Sequence, residues 1–462
     1  MKNAKIGFMP LYIKLYDDVG LAELRERLEP FYETMAKGFE EKGIEVVRSP
    51  FCRIESEFRD AVARFESVNV DCIVTWHAAY SPSLESAKIL AETDLPIIVM
   101  DTTETYDFGP AQDSAEINLC HGIHGVMDMT NLLMRAGKPY AIAAGHYPTS
   151  DVMDRVIGYI KAARAARALP GSKVGTIGGS FDGMGDFLVS DEEMKSLFGV
   201  EVVYSGKDLV PLKASVTDDE VKAEIAKDLD ECVVLGDIDP AVHYKTARNC
   251  LAVRRWIEEK ELDAFTVNFR RKIIPEDGLE IMPFMEACKA MARGTGYAGE
   301  GDVLTAAFTG ALIKGFTSAT FVEIFCPDWR GGSVLLSHMG EYNRALSVGK
   351  SELKQIPFVF GDADEPVVTY GRYMPGEAVF CNVFRTPEGF SMLTAPVTML
   401  DTHEDHFEGT VRGWMKPHMP LPEFLEKISR AGVTHHSSLV YGATTDEIEF
   451  FAKLVGLKTV SI

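Results

Sequence analysis

At 462 residues the chain is too long for one ordinary domain, and its length points to two to four. A hydrophobic fraction of 46% and a charged fraction of 25% are those of a globular protein with a large core. A formal net charge of −22 excludes a nucleic-acid partner or an anionic membrane surface, both of which call for basic patches.

From the start to residue 170, apolar runs alternate with amphipathic stretches. Strands are expected at 5–9, 44–48, 71–76, 96–101 and 140–144, and helices at about 21–42, 55–66, 84–92, 115–135 and 150–168. That alternation predicts a parallel, doubly wound sheet. Ala168-Leu-Pro-Gly-Ser172 ends the last of these helices with proline and glycine and marks a boundary. A second α/β series runs through strands at 173–177, 200–203 and 265–269 and helices at 218–229, 241–259 and 281–293. Beyond residue 316 short strands at 334–337, 357–360, 377–384 and 409–415 are separated by Gly/Pro/Asp turns, a pattern of antiparallel barrels or sandwiches. The last segment returns to helix at 421–430, strand at 435–441, helix at 445–455 and strand at 459–462. Three domains are therefore expected: α/β at 1–170, α/β at 171–316 and a β-rich domain at 317–462.

No apolar run reaches the length of a membrane-spanning helix, and Lys2 and Lys5 lead directly into IGFMPLYI without the pattern of a signal peptide. Eight dispersed cysteines form no C-x-x-C pair, so a reducing cytoplasm is the expected location.

Residues 294–341 hold the densest chemistry. Glu300 lies in Gly299-Glu300-Gly301-Asp302, where flanking glycines let backbone approach whatever the carboxylate holds. Asp302 can cap the helix that follows, which puts Glu300 at a loop-to-helix junction. Glu323 sits inside the apolar strand 318–325 and needs a partner there. His338 ends the apolar run 333–338, and His435-His436 begins the strand-like run near the end of the chain. Two carboxylates with one or two imidazoles form a mixed oxygen/nitrogen set suited to Mn²⁺ and workable for Co²⁺ or Mg²⁺, whereas the lack of a thiolate disfavours structural zinc. The competing reading is a capping Glu300, a salt-bridged Glu323 and two core histidines. Because strand neighbours point to opposite faces, only one of His435 and His436 is expected to face inward.

Three other motifs carry weaker signals. His121 and His124 are three apart and share a helix face, which suits a substrate hydrogen bond or a structural role better than metal. Asp401-Thr-His403-Glu404-Asp405-His406 lacks H-E-x-x-H spacing and reads as a solvated loop. The glycine-rich stretch 178–185 spells neither G-x-G-x-x-G nor a P-loop and is read as a close backbone approach to a small ligand.

These residues also resemble a known family. Gly296-Tyr-Ala-Gly-Glu-Gly-Asp302 is similar to the GYGFAGEGDW of the L-arabinose isomerases, within the L-arabinose/L-fucose isomerase superfamily. Val322-Glu-Ile-Phe-Cys-Pro327 resembles LEVCPS, His338-Met-Gly340 resembles HLG, and Gly432-Val-Thr-His-His-Ser437 resembles GGTHHT. Upstream, Ile117-Asn-Leu with His124-Gly125 resembles NLNQTAHGG, Gly145-His-Tyr147 resembles TGHW, and Met184 falls where the family has the methionine of GDNMRE.

The resemblance implies two Rossmann-like doubly wound α/β domains followed by a C-terminal antiparallel β-barrel-like domain. It implies Mn²⁺ ligands at Glu300, Glu323, His338 and His436 and substrate contacts at His124, Met184 and Phe269; given that set, Glu300 and Glu323 are expected to be the catalytic acid/base pair as well as ligands. It further implies a metal-dependent aldose–ketose isomerase working through a cis-enediol on a free sugar, assembled as a homo-trimer or homo-hexamer. In such an assembly the sites lie between subunits, and the residue equivalent to His124 reaches in from a neighbour. The family's GSQHLYG has no clear counterpart in Gly7-Phe-Met-Pro-Leu-Tyr-Ile-Lys-Leu-Tyr16, and its tryptophan after GEGD is Val303 here, so the sugar is left open between L-arabinose, L-fucose, D-galactose or an uncommon pentose. A non-catalytic sugar-binding protein with two Rossmann-like domains around a cleft is the alternative from another class.

Overall fold

Strands β1 (Lys5–Leu11), β2 (Glu45–Arg48), β3 (Cys72–His77), β4 (Ile97–Asp101) and β5 (Tyr140–Ala144) pair in the order β2-β1-β3-β4-β5, every pairing parallel. The computed structural model describes residues 4–270, 278–402 and 405–462. The chain divides into two compact units, Met1–Arg167 and Ala168–Ile462.

In the first unit the sheet is covered on both faces, which is why β3 is buried at every position and reads as an unbroken apolar run. Phe58, Phe65, Leu90, Val126 and Met129 pack with Ile73 and Ile97 in one core. Phe31, Tyr32 and Phe39 of the helix Ala22–Glu41 join Phe8 and Trp76 in a second set of aromatic contacts. The helix expected at 115–135 is broken: Ile117–Cys120 and Gly122–Arg135 are separate, with His121 at φ −98° and ψ 28° between them. The break lets Gly122 lie against β3, where a Cβ would come within 2.3 Å of the His77 carbonyl oxygen.

The second unit begins with β6 (Lys173–Ile177), β7 (Glu201–Tyr204), β9 (Ala264–Val267) and β10 (Gly296–Gly299), which form a parallel sheet in the order β10-β9-β6-β7. β10 is the four residues GYAG, whose glycines conceal a strand from propensity. The helix Val303–Phe316 is buried at every position except Lys314, a helix apolar all round because it packs against both this sheet and the strands that follow. A separate three-stranded sheet joins β8 (Cys232–Val234) to β13 (Ser351–Gln355) and β14 (Val367–Tyr370).

The remaining strands are β11 (Ala319–Asp328), β12 (Ser333–Leu336), β15 (Gly376–Thr386), β16 (Gly389–Met399), β17 (Gly413–Pro417), β18 (His436–Tyr441) and β19 (Lys458–Ser461). Six close into an antiparallel barrel in the order β15-β18-β11-β12-β17-β16, the ring completed by the β15–β16 hairpin, while β19 adds to β16 in parallel. The expected strand at 357–360 is not formed; the strand lies earlier, at β13, and ends before Pro357, which has no N–H to give a ladder. The 401–406 loop is exposed at Asp401 and His406, as expected of a solvated loop, but not at Asp405. Asp405 is buried at 5% exposure of its side chain and pairs with Arg412 at 2.7 Å; His403 and Glu404 lie outside the described residues.

Among the described residues no helix is long and apolar enough to cross a membrane.

Candidate active site

Strand order reverses beside β6, since the chain runs from β6 to β7 on one side and returns to β9 and β10 on the other. Open parallel sheets bind ligands outside the carboxyl ends of their strands at such a point. Three segments leave those ends here: the glycine-rich stretch after β6, Asn268 and Phe269 after β9, and Glu300 after β10. Against them stands one edge of the barrel.

Glu300 occupies the left-handed region at φ 66°, a conformation that costs a non-glycine residue roughly 1 kcal/mol or more. It is held there from three directions. Phe181 N donates to the Glu300 carbonyl at 3.0 Å. Gly301 N donates to Thr266 Oγ1 at 3.0 Å, and Thr266 Oγ1 donates to the Gly299 carbonyl at 3.2 Å. Gly301 is itself obligatory: its φ is +82°, and a Cβ there would lie 2.2 Å from the Gly179 carbonyl oxygen. The close backbone approach made by the glycine-rich stretch, among the described residues, is thus to the Glu300 turn.

Glu323 and His436 are direct cross-strand partners on β11 and β18 and so share a face. A β-bulge follows at Ile324/Cys326, where β11 shifts register against β12. His338 lies two residues beyond the end of β12, with its Nε2 at 3.3 Å from Glu323 Oε2. His436 Nε2 is 3.5 Å from Glu300 Oε2, and it is a buried nitrogen with no hydrogen-bond partner among the described residues. Gly299 is the floor beneath both rings: a Cβ would stand 3.0 Å from His338 Cε1 and 3.8 Å from His436 Nε2. Glu300, Glu323, His338 and His436, which the sequence singled out, are therefore brought together. Two overlapping sets, Glu300/His435/His436 and Glu323/His338/His436, each have ligand atoms within 4.8 Å of one another.

A second ring of carboxylates, mostly invisible in the sequence, fixes the imidazoles. His436 Nδ1 lies 3.0 Å from Asp302 Oδ2, while Asp302 Oδ1 accepts from Thr305 N at 2.8 Å as the cap of the helix Val303–Phe316. His338 Nδ1 pairs with Glu341, which in turn accepts from the Tyr297 hydroxyl. His435 Nδ1 lies 2.7 Å from Asp186 Oδ2. In each case a carboxylate takes Nδ1 and leaves Nε2 to the glutamates, the arrangement that makes imidazole a directed Nε2 ligand. Burial pushes His338 down, but Glu341 and Glu323 outweigh it and raise its pKa to about 10. Burial likewise opposes a rise at His435, where Glu300 and Asp186 bring it to about 9. Asp186 is held below the ordinary carboxylate range by the His435 backbone N–H and imidazole, against its partial burial.

The expectation that only one of the adjacent histidines faces inward is corrected. β18 starts at His436, so strand alternation does not govern His435, and its Nε2 reaches Glu300 Oε2 at 3.3 Å. Of the expected substrate residues, Phe269 follows β9 with its ring 5.3 Å from that of Phe181, and Met184 is partly buried in the glycine-rich stretch. His124 belongs to the first unit, on the helix Gly122–Arg135, where its ring is 4.8 Å from that of Tyr80.

Comparison with known proteins places these features in one family. The family model of the L-arabinose isomerase central domain matches residues 189–316, and that of the L-arabinose isomerase C-terminal domain matches residues 318–458. An L-arabinose isomerase of Shouchella clausii is 25% identical over 470 residues, covering 99% of this chain and 93% of the relative. L-arabinose isomerase 2 of Clostridium acetobutylicum is 25% identical, covering 97% of this chain and 93% of the relative. The enzyme of Lactiplantibacillus plantarum is 26% identical over 87% of this chain and 88% of its own length. Among solved structures, an ABC transporter solute-binding protein from Burkholderia multivorans reaches a TM-score of 0.18 at 12% identity over 68% of this chain and 93% of that one, a likeness too slight to argue from.

Proposed function

We propose a reaction for this chain from one premise: it belongs to the L-arabinose isomerase family and is an aldose–ketose isomerase. The proposal is that it converts a free aldose, L-arabinose or a close relative, to the ketose through a cis-enediol, with a divalent ion, Mn²⁺ in first place, held by Glu300, Glu323, His338 and His436. The observation that carries the metal reading is His436 Nε2, buried, without a hydrogen-bond partner among the described residues, and directed toward Glu300 Oε2 at 3.5 Å by Asp302 on its other nitrogen. A nitrogen left so would cost about 1–3 kcal/mol, a cost that coordination removes. The donor set of two carboxylates and two imidazoles, with no thiolate, suits Mn²⁺ and accommodates Co²⁺ or Mg²⁺.

Isomerisation moves a proton between C1 and C2 while the carbonyl passes from one oxygen to the other, and the difficulty is the weak acidity of the carbon. A divalent ion bound in such a site polarises the carbonyl and stabilises negative charge on the two adjacent oxygens. The chain's own contribution is proton transfer and orientation. Glu300 and Glu323 engage the histidines through Oε2, which leaves Oε1 of each outside those contacts. One carboxylate takes the carbon-bound proton and returns it to the neighbouring carbon, and the other serves the hydroxyl, steps each typically worth ~10²–10⁴-fold. Asp302 and Glu341 hold Nδ1 of His436 and His338, so that Nε2 is the nitrogen each ring turns toward the glutamates. His124, Met184 and Phe269 are proposed sugar contacts, and a homo-trimer or homo-hexamer in a cytoplasmic setting is the proposed context.

Assay of an aldose panel for ketose, with Mn²⁺ and again after EDTA, tests this reading. Ketose from L-arabinose or a related aldose, lost with EDTA and restored by Mn²⁺, is expected; equal turnover in the stripped protein would remove the metal from the proposal.

A further inference from the structure

The stretch 178–187 does more than approach the Glu300 turn. Its far end reaches the histidine pair: the Phe187 ring stacks on His436 at 5.2 Å and 13°, and Asp186 Oδ2 accepts from both the backbone N–H of His435 at 2.9 Å and its Nδ1 at 2.7 Å. The other nitrogen of that ring meets Glu300 Oε2 at 3.3 Å. Asp186, His435 and Glu300 thus form a continuous line from a loop carboxylate to a proposed catalytic carboxylate.

The three imidazoles differ in how else they are held. His436 is completely buried and His338 is 6% exposed at its side chain, so packing confines both rings in addition to their carboxylate partners. His435 is 34% exposed at its side chain and lies outside any strand, so packing, including the Phe187 ring at 5.7 Å, holds its ring less closely. There the contact with Asp186 carries more of the positioning than burial does. We propose that Asp186 is a positioning residue of the isomerisation: acting through His435, it keeps Nε2 turned onto Glu300 and so fixes the plane of the Glu300 carboxylate. The inference rests on the isomerase reading and adds to it a residue that makes no contact with Glu300 itself. Glu300 already occupies a left-handed backbone conformation, and without the His435 contact its Oε2 would keep only the longer approach to His436 Nε2 at 3.5 Å.

The test is a double-mutant cycle on the Mn²⁺-loaded protein with Asp186→Ala, His435→Ala and the pair, supported by Asp186→Asn, which keeps one acceptor oxygen. Asp186→Ala is expected to lower kcat ~10–100-fold with a smaller change in KM, as loss of such outer partners does. Asp186→Asn should lose less. The decisive readout is coupling: in the His435→Ala background, Asp186→Ala should cost nothing more. Full kcat in Asp186→Ala, no loss in His435→Ala, or losses that multiply in the pair would overturn the proposal, because a loop-holding role through the His435 backbone N–H survives removal of the ring. If the wild-type protein makes no ketose from any aldose, it is the isomerase reading that fails. Positioning is then read from the ¹⁵N resonances of the His435 ring, assigned with His435→Gln. A protonated Nδ1 that is lost or shifted in Asp186→Ala supports it, and identical resonances overturn it.

Discussion

Replacing Asp302 by Asn separates the two tasks this residue performs. One carboxylate oxygen caps the helix Val303–Phe316 through Thr305 N at 2.8 Å, and the other holds His436 Nδ1 at 3.0 Å. An asparagine has a single acceptor oxygen. With that oxygen on Thr305 the cap survives, since Asn and Asp are equivalent caps. The amide NH₂ then faces His436 Nδ1 and selects the tautomer with its proton on Nε2, the atom proposed to bind the ion. Loss of such an outer partner typically weakens metal binding ~10–100-fold, or about 1.4–2.8 kcal/mol. Asp302→Ala would remove both tasks: about 1 kcal/mol for the cap and about 1–3 kcal/mol for a buried Nδ1 left unpaired. At ~2 °C per kcal/mol for a large domain, its melting temperature should fall by roughly 4–8 °C. Calorimetric titration of each metal-free protein with Mn²⁺, alongside thermal melts, reads both quantities. Asp302→Asn binding Mn²⁺ as tightly as wild type, or Asp302→Asn melting as low as Asp302→Ala, would refute the reasoning.

Other expectations concern the frame around the site. Gly301→Ala must place a Cβ 2.2 Å from the Gly179 carbonyl at φ +82°, so it should displace the Glu300 turn and lower kcat at least tenfold; unchanged kinetics would show that the turn is not needed as found. Lys289, 6% exposed at its side chain, pairs with Glu224 at 2.6 Å and with Asp228, and Lys289→Met should cost about 3–5 kcal/mol by leaving two carboxylates buried without it, a loss that a melt reads directly and that an unchanged melting temperature would contradict. Burial pushes the pKa of Glu224 up, yet Arg254 and Lys289 outweigh this and hold it near 2. Because the folded value lies below the ordinary 4.5, its contribution is complete above pH 4.5 and is lost as the pH falls from there toward 2. The stability gap between wild type and Glu224→Gln, measured by melts, should therefore narrow across that window; a gap independent of pH would contradict the pairing.

The ligand-like residues were legible because they sit in local surroundings that are odd in any fold: glycines flanking Glu300, apolar neighbours around Glu323, histidines at the ends of apolar runs. The residues that direct them were not. Asp186 and His435 are 249 positions apart, and nothing in either local sequence links them. Glu341 lies only three residues beyond His338, yet its pairing depends on where the chain turns after β12. Asp302 was legible as a cap, since capping is local, but its second oxygen serves a residue 134 positions away. The parallel sheets followed from alternating strand and helix signals, whereas β10 escaped because close packing required glycine: a Cβ at Gly296 would lie 2.4 Å from Gly310. In such a strand the needs of packing override the β-branched residues that propensity looks for.

The most direct measurement follows hydrogen exchange between solvent and sugar. The protein is loaded with Mn²⁺ in D₂O, given L-arabinose and related aldoses, and the C1 and C2 hydrogens of aldose and ketose are followed by NMR, with Glu300→Gln and Glu323→Gln in parallel. Ketose formation with deuterium entering at those carbons, abolished in both variants and after removal of the ion, is the expected result. Exchange that persists undiminished in either variant, or a folded wild-type protein that binds these sugars and exchanges none of their hydrogens, would contradict the assignment of Glu300 and Glu323 as the pair that moves the proton.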